Sequence, residues 1–252
     1  MLSWGFVMKL GLVNVFDSLS RQTKVIIVNG KTYVAKDYAS EVGLLKWYAI
    51  TLSNIAVRKY PFKLEPVDRM KREVTFMRSP TKCFKKPEVL LVDYGRLRLI
   101  REFVKGELYS YNAPCHVHIE IGRSLGQCHD EGWVLGDTKI TNFVYSGNEV
   151  YIVDAEQATK DYRPEHAAWD LLVLVSTLFM ENVVMALKDI EMSARYIDLI
   201  LNGYLEGNRG SGLDSLKTLL ATDFKLLAYL LIPFPLNYVF TRKVEERVEK
   251  AY

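Results

Sequence analysis

The sequence predicts an α+β protein of two lobes, a small antiparallel sheet with helices followed by a mainly helical part. Three observations lead there. Residues 24–28 and 32–36 are short strand-forming runs that flank Asn29-Gly30, a pair tolerant of positive φ and typical of a tight hairpin. From about residue 114 onward most apolar residues recur at helical spacing. Between these regions lies 129–157, HDEGWVLGDTKITNFVYSGNEVYIVDAEQ, where a polar loop with the pattern D-x-K-x-x-N precedes a short apolar strand ending on an aspartate.

The chain has 252 residues, enough for one domain of two lobes with a core. Apolar residues make up 49% and charged residues 25%, the balance of a soluble globular protein. A net charge of +3 does not by itself imply nucleic acid or a membrane as partner. Three cysteines, Cys83, Cys115 and Cys128, form an odd set, so we expect reduced thiols and a cytoplasmic protein. The apolar start, residues 1–17, has no basic leader and is interrupted by Lys9, so no signal peptide is expected. The longest uncharged runs, 171–180 and 226–240, fall short of the roughly 20 residues a membrane span needs.

Taken in order, residues 11–16, 24–28 and 32–36 read as a three-stranded meander, and the third strand ends on Lys36. The loop 17–23, DSLSRQT, has no glycine and offers Ser18, Ser20, Thr23 and Arg21. Residues 39–58 read as a helix with Leu44, Leu45, Trp47, Tyr48, Ile50, Leu52 and Ile55 as its apolar positions. After Pro61 and Pro66 a second helix covers about 67–78, with Met70, Val74 and Met77 on one face and Glu73 beside them. The basic stretch 78–87 carries Lys82, Lys85 and Lys86 and reads as a solvated loop or a contact for phosphate-rich RNA. Residues 88–93 and 96–101 pair as a hairpin over Tyr94-Gly95.

The helix 114–131 carries Cys115, His116, His118, Cys128 and His129, but geometry excludes a shared metal. On one helix His118 and His129 stand about 16 Å apart, whereas zinc ligands lie about 2 Å from the ion. A turn at Ser146-Gly147-Asn148 leads into the strand 150–153. The helix 165–178 holds Asp170 in an apolar surround, where a carboxylate needs hydrogen-bond donors. Residues 183–206, 213–232 and 236–250 read as helices, separated by a break at 207–212 and by Pro233 and Pro235.

Phosphoryl transfer requires a carboxylate to orient the attacking group, a lysine near the moving phosphate, and oxygen ligands for a divalent cation. Asp137, Lys139, Asn142 and Asp154 supply that set in chain order. The amide and carboxylate oxygens of Asn142 and Asp154 suit Mg²⁺, with Mn²⁺ as an alternative.

These motifs resemble the catalytic loop and metal-binding Asp of the protein-kinase superfamily. Leu135-Gly136 stands where ordinary kinases have His-Arg, and Ala155-Glu156 where they have Phe-Gly. A glycine before the catalytic Asp resembles RIO-type atypical kinases and the kinase subunit of the KEOPS tRNA-modification complex. The resemblance implies a kinase-like fold with an N-lobe at 1–104 and a C-lobe at 105–252. Tyr33-Val34-Ala35-Lys36 is similar to the V-A-I-K strand, so Lys36 would bind the α/β-phosphates of ATP and pair with Glu73; Glu41 and Glu65 are rivals for that pairing. The Glu102 carbonyl and Val104 N–H would read the adenine, with Arg101 in the gatekeeper position. Asp137 would orient the acceptor and Lys139 stabilise the transferring phosphate. Asn142 and Asp154 would hold the metal, and Asp170 would hold the backbone of the catalytic loop.

The implied activity is ATP- and Mg²⁺-dependent transfer to protein Ser/Thr. The alternatives are an ATPase or small-molecule kinase, in a KEOPS-like or aminoglycoside-kinase-like role, and a pseudokinase scaffold. The implied partners are a nucleotide, a protein or small-molecule acceptor and an RNA-linked complex. The chain ends VEERVEKAY, where the KEOPS subunit usually has a short basic tail.

Overall fold

The computed structural model describes residues 23–39 and 59–251. The strand expected at 11–16, most of the loop 17–23, almost all of the helix 39–58 and the rival Glu41 lie outside the described residues.

The N-lobe sheet contains β1 (Thr23–Val28), β2 (Lys31–Asp37), β3 (Val89–Asp93) and β4 (Arg98–Glu102), all antiparallel in the order β1-β2-β4-β3. Asn29 and Gly30 close the first hairpin with φ of 51° and 74°, the left-handed pair that such a turn demands. The second hairpin is wider than expected: Leu97 turns with φ 54°, and β4 begins at Arg98 rather than 96. Helix α1 (Pro66–Met77) lies against one face of this sheet, with Met70 and Val74 packed on Tyr38 and Leu99.

The C-lobe has a second small sheet of β5 (Glu107–Leu108), β6 (Phe143–Ser146) and β7 (Glu149–Ile152), set among helices. These are α2 (Cys115–Asp130), α3 (Pro164–Glu181), α4 (Val183–Lys188), α5 (Ile190–Gly207), α6 (Gly212–Leu219), α7 (Thr222–Leu231) and α8 (Leu236–Glu249). The apolar face of α3 contributes Leu171, Leu172, Leu174, Val175 and Leu178 to the main core.

Two expected helices are each a pair. The stretch 183–206 breaks at Asp189, whose carboxylate accepts the Met192 N–H at 2.9 Å and caps α5. The stretch 213–232 breaks where Ala221 adopts an extended backbone, with ψ 148°, ahead of α7. The apolar spacing continues through both breaks, so periodicity alone did not show them.

Helices α2 and α5 meet backbone to backbone. A Cβ added at Gly122 would lie 2.1 Å from the Ile200 carbonyl oxygen, and one at Gly203 would lie 2.0 Å from that of Ile119. Gly126 and Gly207, four residues further along each helix, make the same kind of approach. Any side chain at these positions would force apart the helices that carry His129 and Tyr204, which meet at 2.9 Å.

The cysteine expectation is corrected. Cys83 and Cys128 form a disulfide that ties the loop after α1 to the last turn of α2, and Cys115 alone is free. The two are 45 residues apart in sequence, so nothing local announced the pairing. His118 is a core residue: Tyr109 Oη lies 2.7 Å from its Nδ1, the Ala113 carbonyl lies 3.1 Å from its Nε2, and its ring stacks on Tyr196. Among the described residues no helix is long and apolar enough to cross a membrane.

Candidate active site

Alternation along β2 directs Val34 and Lys36 to the buried face. Lys36 is only 3% exposed, and its ammonium meets three carboxylates: Glu73 at 2.7 Å, Asp154 at 3.0 Å and Glu156 at 2.7 Å. Tyr38 donates to the same Glu73 oxygen. The other oxygen of Glu156 accepts from Arg69 at 2.6 Å. Arg69 lies on α1 one turn before Glu73, so the i, i+4 spacing aims both at the cluster. The carboxylate oxygens of Glu73, Asp154 and Glu156 lie within 4.8 Å of one another. Buried charges survive only when paired, and the two cations serve that need here.

The cluster sets its own ionisation. Burial pushes Glu73 up to about 7, against the pull of Lys36. Burial also works upward on Asp154, but Lys36 and Lys139 overcome it and hold that carboxyl at about 2. Burial would lower Lys36, yet Asp154, Glu156 and Glu73 together raise it well above an ordinary lysine, so it stays charged.

Asp170 organises the loop that carries Asp137. Its carboxylate accepts the Leu135 N–H at 2.7 Å and the Gly136 N–H at 2.6 Å. His129 Nε2 lies 3.0 Å from the same carboxylate, and Tyr204 Oη from α5 lies 2.9 Å from His129 Nδ1. Trp169 donates to the Gly136 carbonyl at 2.8 Å, and Thr138 donates to the Asp170 carbonyl at 2.6 Å. Gly136 has φ 72°, and a Cβ there would lie 2.3 Å from the Tyr60 ring. Tyr60 itself donates to the Gln157 carbonyl at 2.7 Å. Glycine before Asp137 thus answers both backbone conformation and space.

Asp137 and Lys139 pair at 3.3 Å, and their side chains remain 21% and 23% exposed, open to an incoming molecule. Asn142 donates its amide N–H to the Asp137 carbonyl at 2.7 Å, and the Val153 N–H donates to the Asn142 carbonyl at 2.8 Å. Those two bonds join the loop to the strand end that carries Asp154. With its nitrogen on Asp137, Asn142 could offer its amide oxygen as a ligand, and Asp154 could add a carboxylate. This donor set fits a hard divalent cation. The three-carboxylate cluster is a different arrangement, because the Lys36 ammonium sits among its oxygens.

The remaining expected residues lie at the link between lobes. Glu102 ends β4, its N–H donates to the Glu88 carbonyl at 2.9 Å, and its own carbonyl accepts from Arg101 Nη1 at 3.3 Å. Val104 follows, half-buried, in the segment leading to β5. Gly106 passes so close to β6 that a Cβ would lie 2.4 Å from the Tyr145 carbonyl oxygen. Glu65 is exposed at the N-terminal end of α1, away from Lys36. Sequence reasoning did not single out Glu156 or Arg69. Their signals were the D-A-E that replaces the expected Phe-Gly ending, and an arginine four residues before Glu73.

The described residues form a small antiparallel sheet with one helix, followed by a mainly helical part around a second small sheet. No family model matches the chain. It is 32% identical over 122 residues to the EKC/KEOPS complex subunit bud32 of Dictyostelium discoideum, a match covering 41% of this chain and 48% of that protein. The chain therefore spans about half the length of the curated relative it matches. Among solved structures, WaaP in complex with acyl carrier protein is 14% identical with a TM-score of 0.43, covering 100% of this chain and 98% of that one. An amicoumacin kinase in complex with AMP-PNP, Ca²⁺ and Ami is 10% identical with a TM-score of 0.44, covering 98% and 96%. A Plasmodium vivax ethanolamine kinase is 11% identical with a TM-score of 0.45, covering 96% and 87%.

Proposed function

We propose that this chain is a small atypical phosphotransferase that moves the terminal phosphoryl group of a nucleoside triphosphate, ATP being the expected donor, to a protein Ser/Thr. The observation that carries the reading is the convergence of Lys36, Glu73 and Asp154 within salt-bridge distance, beside a loop whose Asp137 is open to solvent. On this reading the lobes divide at 104/105 and the nucleotide lies between them.

Lys36, held by Glu73, grips the α/β-phosphates, exchanging its contact with Asp154 for them. Glu102 and Val104 lie beside the base. Asn142 and Asp154 would hold Mg²⁺, which would supply charge neutralisation at the phosphates. Asp137 orients the acceptor hydroxyl and takes its proton as the new O–P bond forms and the bond from the terminal phosphorus to the bridging oxygen breaks, releasing the nucleoside diphosphate. Lys139 stabilises the charge on the transferring group, and Asp170 keeps the loop in register. The resemblance to the KEOPS subunit extends the proposal to assembly with protein partners in an RNA-linked complex.

One observation favours a second reading, with a small molecule or water as acceptor. Only residues 155–163 separate Asp154 from α3, too short a segment for a peptide-docking platform. Incubation with γ-labelled ATP and Mg²⁺ tests both readings, with label followed separately into protein, small molecules and water. Asp137→Asn is expected to keep the fold and lower turnover by roughly 10²–10⁴-fold. Wild-type transfer by that variant would remove Asp137 from the mechanism.

A further inference from the structure

Glu156 and Arg69 are buried charges to which the mechanism above gives no task. Glu156 is 7% exposed and Arg69 is fully buried. One oxygen of Glu156 meets the Lys36 ammonium at 2.7 Å and the other meets Arg69 at 2.6 Å. A single carboxylate therefore joins β2 to α1. Ions in such surroundings are held by their partners, and taking one partner away leaves a buried charge uncompensated.

The backbone that presents Glu156 is fixed from two sides. Toward the catalytic loop, Val134 and Thr159 exchange N–H···O bonds of 2.9 Å in both directions. Toward α1, the Gln157 side-chain amide exchanges two bonds of 2.9 Å with the backbone of Lys63, and the Gln157 carbonyl accepts from Arg72 at 3.2 Å. Arg69 and Glu73 stand one turn apart on α1, about 6 Å along its axis. Glu73 ties the helix to Lys36, and Arg69 ties it to Glu156. Two ties a turn apart fix both the rotation and the slide of the helix, where one would leave it free to pivot.

We propose, resting on the phosphoryl-transfer reading, that Glu156 is a positioning residue that holds Lys36 in line with the phosphates. On that reading Asp154 gives up Lys36, which keeps Glu73 and Glu156. An ammonium held by one carboxylate swings about it, whereas a second carboxylate on a fixed backbone sets its direction. Arg69 balances the charge of Glu156 and so reduces its repulsion of the phosphates. Glu156 stands where ordinary kinases have the glycine of Phe-Gly, a residue with no side chain to make this hold.

The test compares the full-length wild type, Glu156→Gln, Lys36→Met and the two combined. Turnover of γ-labelled ATP with Mg²⁺ is summed over protein, small molecules and water, with heat-treated cell lysate supplied as acceptor. Calorimetry with a non-hydrolysable ATP analogue gives the fraction of each preparation that binds nucleotide, so turnover is expressed per binding site and loss of folded protein drops out. Glu156→Gln is expected to lower turnover per site about 10–10²-fold, and to lower it no further where Lys36→Met is already present. Wild-type turnover per site would overturn the proposal and leave Glu156 as a counter-ion for Arg69 alone. Full multiplication of the two effects would also overturn it, since Glu156 would then act without Lys36. If Glu156→Gln strands Arg69 and does not fold, Arg69→Met combined with Glu156→Met removes both charges and is expected to show the same fall; wild-type turnover there would overturn the proposal equally. No transfer by the wild type, or wild-type transfer by Lys36→Met, would sink the phosphoryl-transfer reading itself and this proposal with it.

Discussion

Asp170 shows how one carboxylate can hold a loop. It gathers two backbone N–H groups and lies against a histidine in a region from which water is excluded, so each bond it makes replaces a donor that would otherwise stay unpaired. Asp170→Ala should cost about 1–3 kcal/mol for a buried donor left without a partner. It should lower turnover as well, because Gly136 and Asp137 lose their reference point. Denaturant unfolding and transfer assays on the same preparation check this; a variant that loses neither stability nor activity would show that the loop is held by other contacts. The partners of Asp170 could be anticipated, since an acid in an apolar helix needs donors and a strained loop supplies them. Glu156 could not, because its role depends on Arg69, 87 residues earlier, arriving on its other oxygen. A charged residue two positions past an expected metal ligand carries no such information alone.

At the scale of elements, α2 does two jobs, and its sequence shows one of them. Its apolar spacing marks a core helix. Its glycines, Gly122 and Gly126, read as weak helix formers until Ile200 and Tyr204 are seen to press their carbonyls against them. Two histidines of α2, His118 and His129, are also explained by packing. Burial lowers the His118 pKa to about 4, against the opposing effect of the Ala113 carbonyl. A histidine whose folded pKa lies below its unfolded value of about 6.5 contributes stability that is complete above that value. The contribution is lost as pH falls from about 6.5 through about 4. NMR titration of the His118 ring should therefore show it neutral until about pH 4, with unfolding free energy declining over the same window. A midpoint near 6.5 would mean that the ring is not held between Tyr109 and Ala113. The hairpins were legible because turn chemistry is local, as at Asn29-Gly30. The breaks at Asp189 and Ala221 and the Cys83–Cys128 bond were not, since caps and cross-links are decided by what lies nearby in space.

At the scale of the whole molecule, the order of residues along the chain carried the fold. Lys36, Glu73, Asp137, Asn142, Asp154 and Asp170 occur in the succession that the resemblance leads one to expect, and the structure draws them into adjoining networks. Each residue alone is an ordinary surface or core residue. What joins them is a buried strand lysine facing carboxylates from α1 and from the segment after β7. The account stands on this junction binding a nucleotide through a divalent cation. Calorimetry with a non-hydrolysable nucleoside triphosphate analogue, with and without Mg²⁺, on the wild type and on Asp154→Asn, measures that claim directly. The account predicts binding at least about tenfold tighter with Mg²⁺, a step of about 1.4 kcal/mol, and loss of the Mg²⁺ effect in Asp154→Asn. Equal affinity with and without Mg²⁺ in the wild type would contradict it.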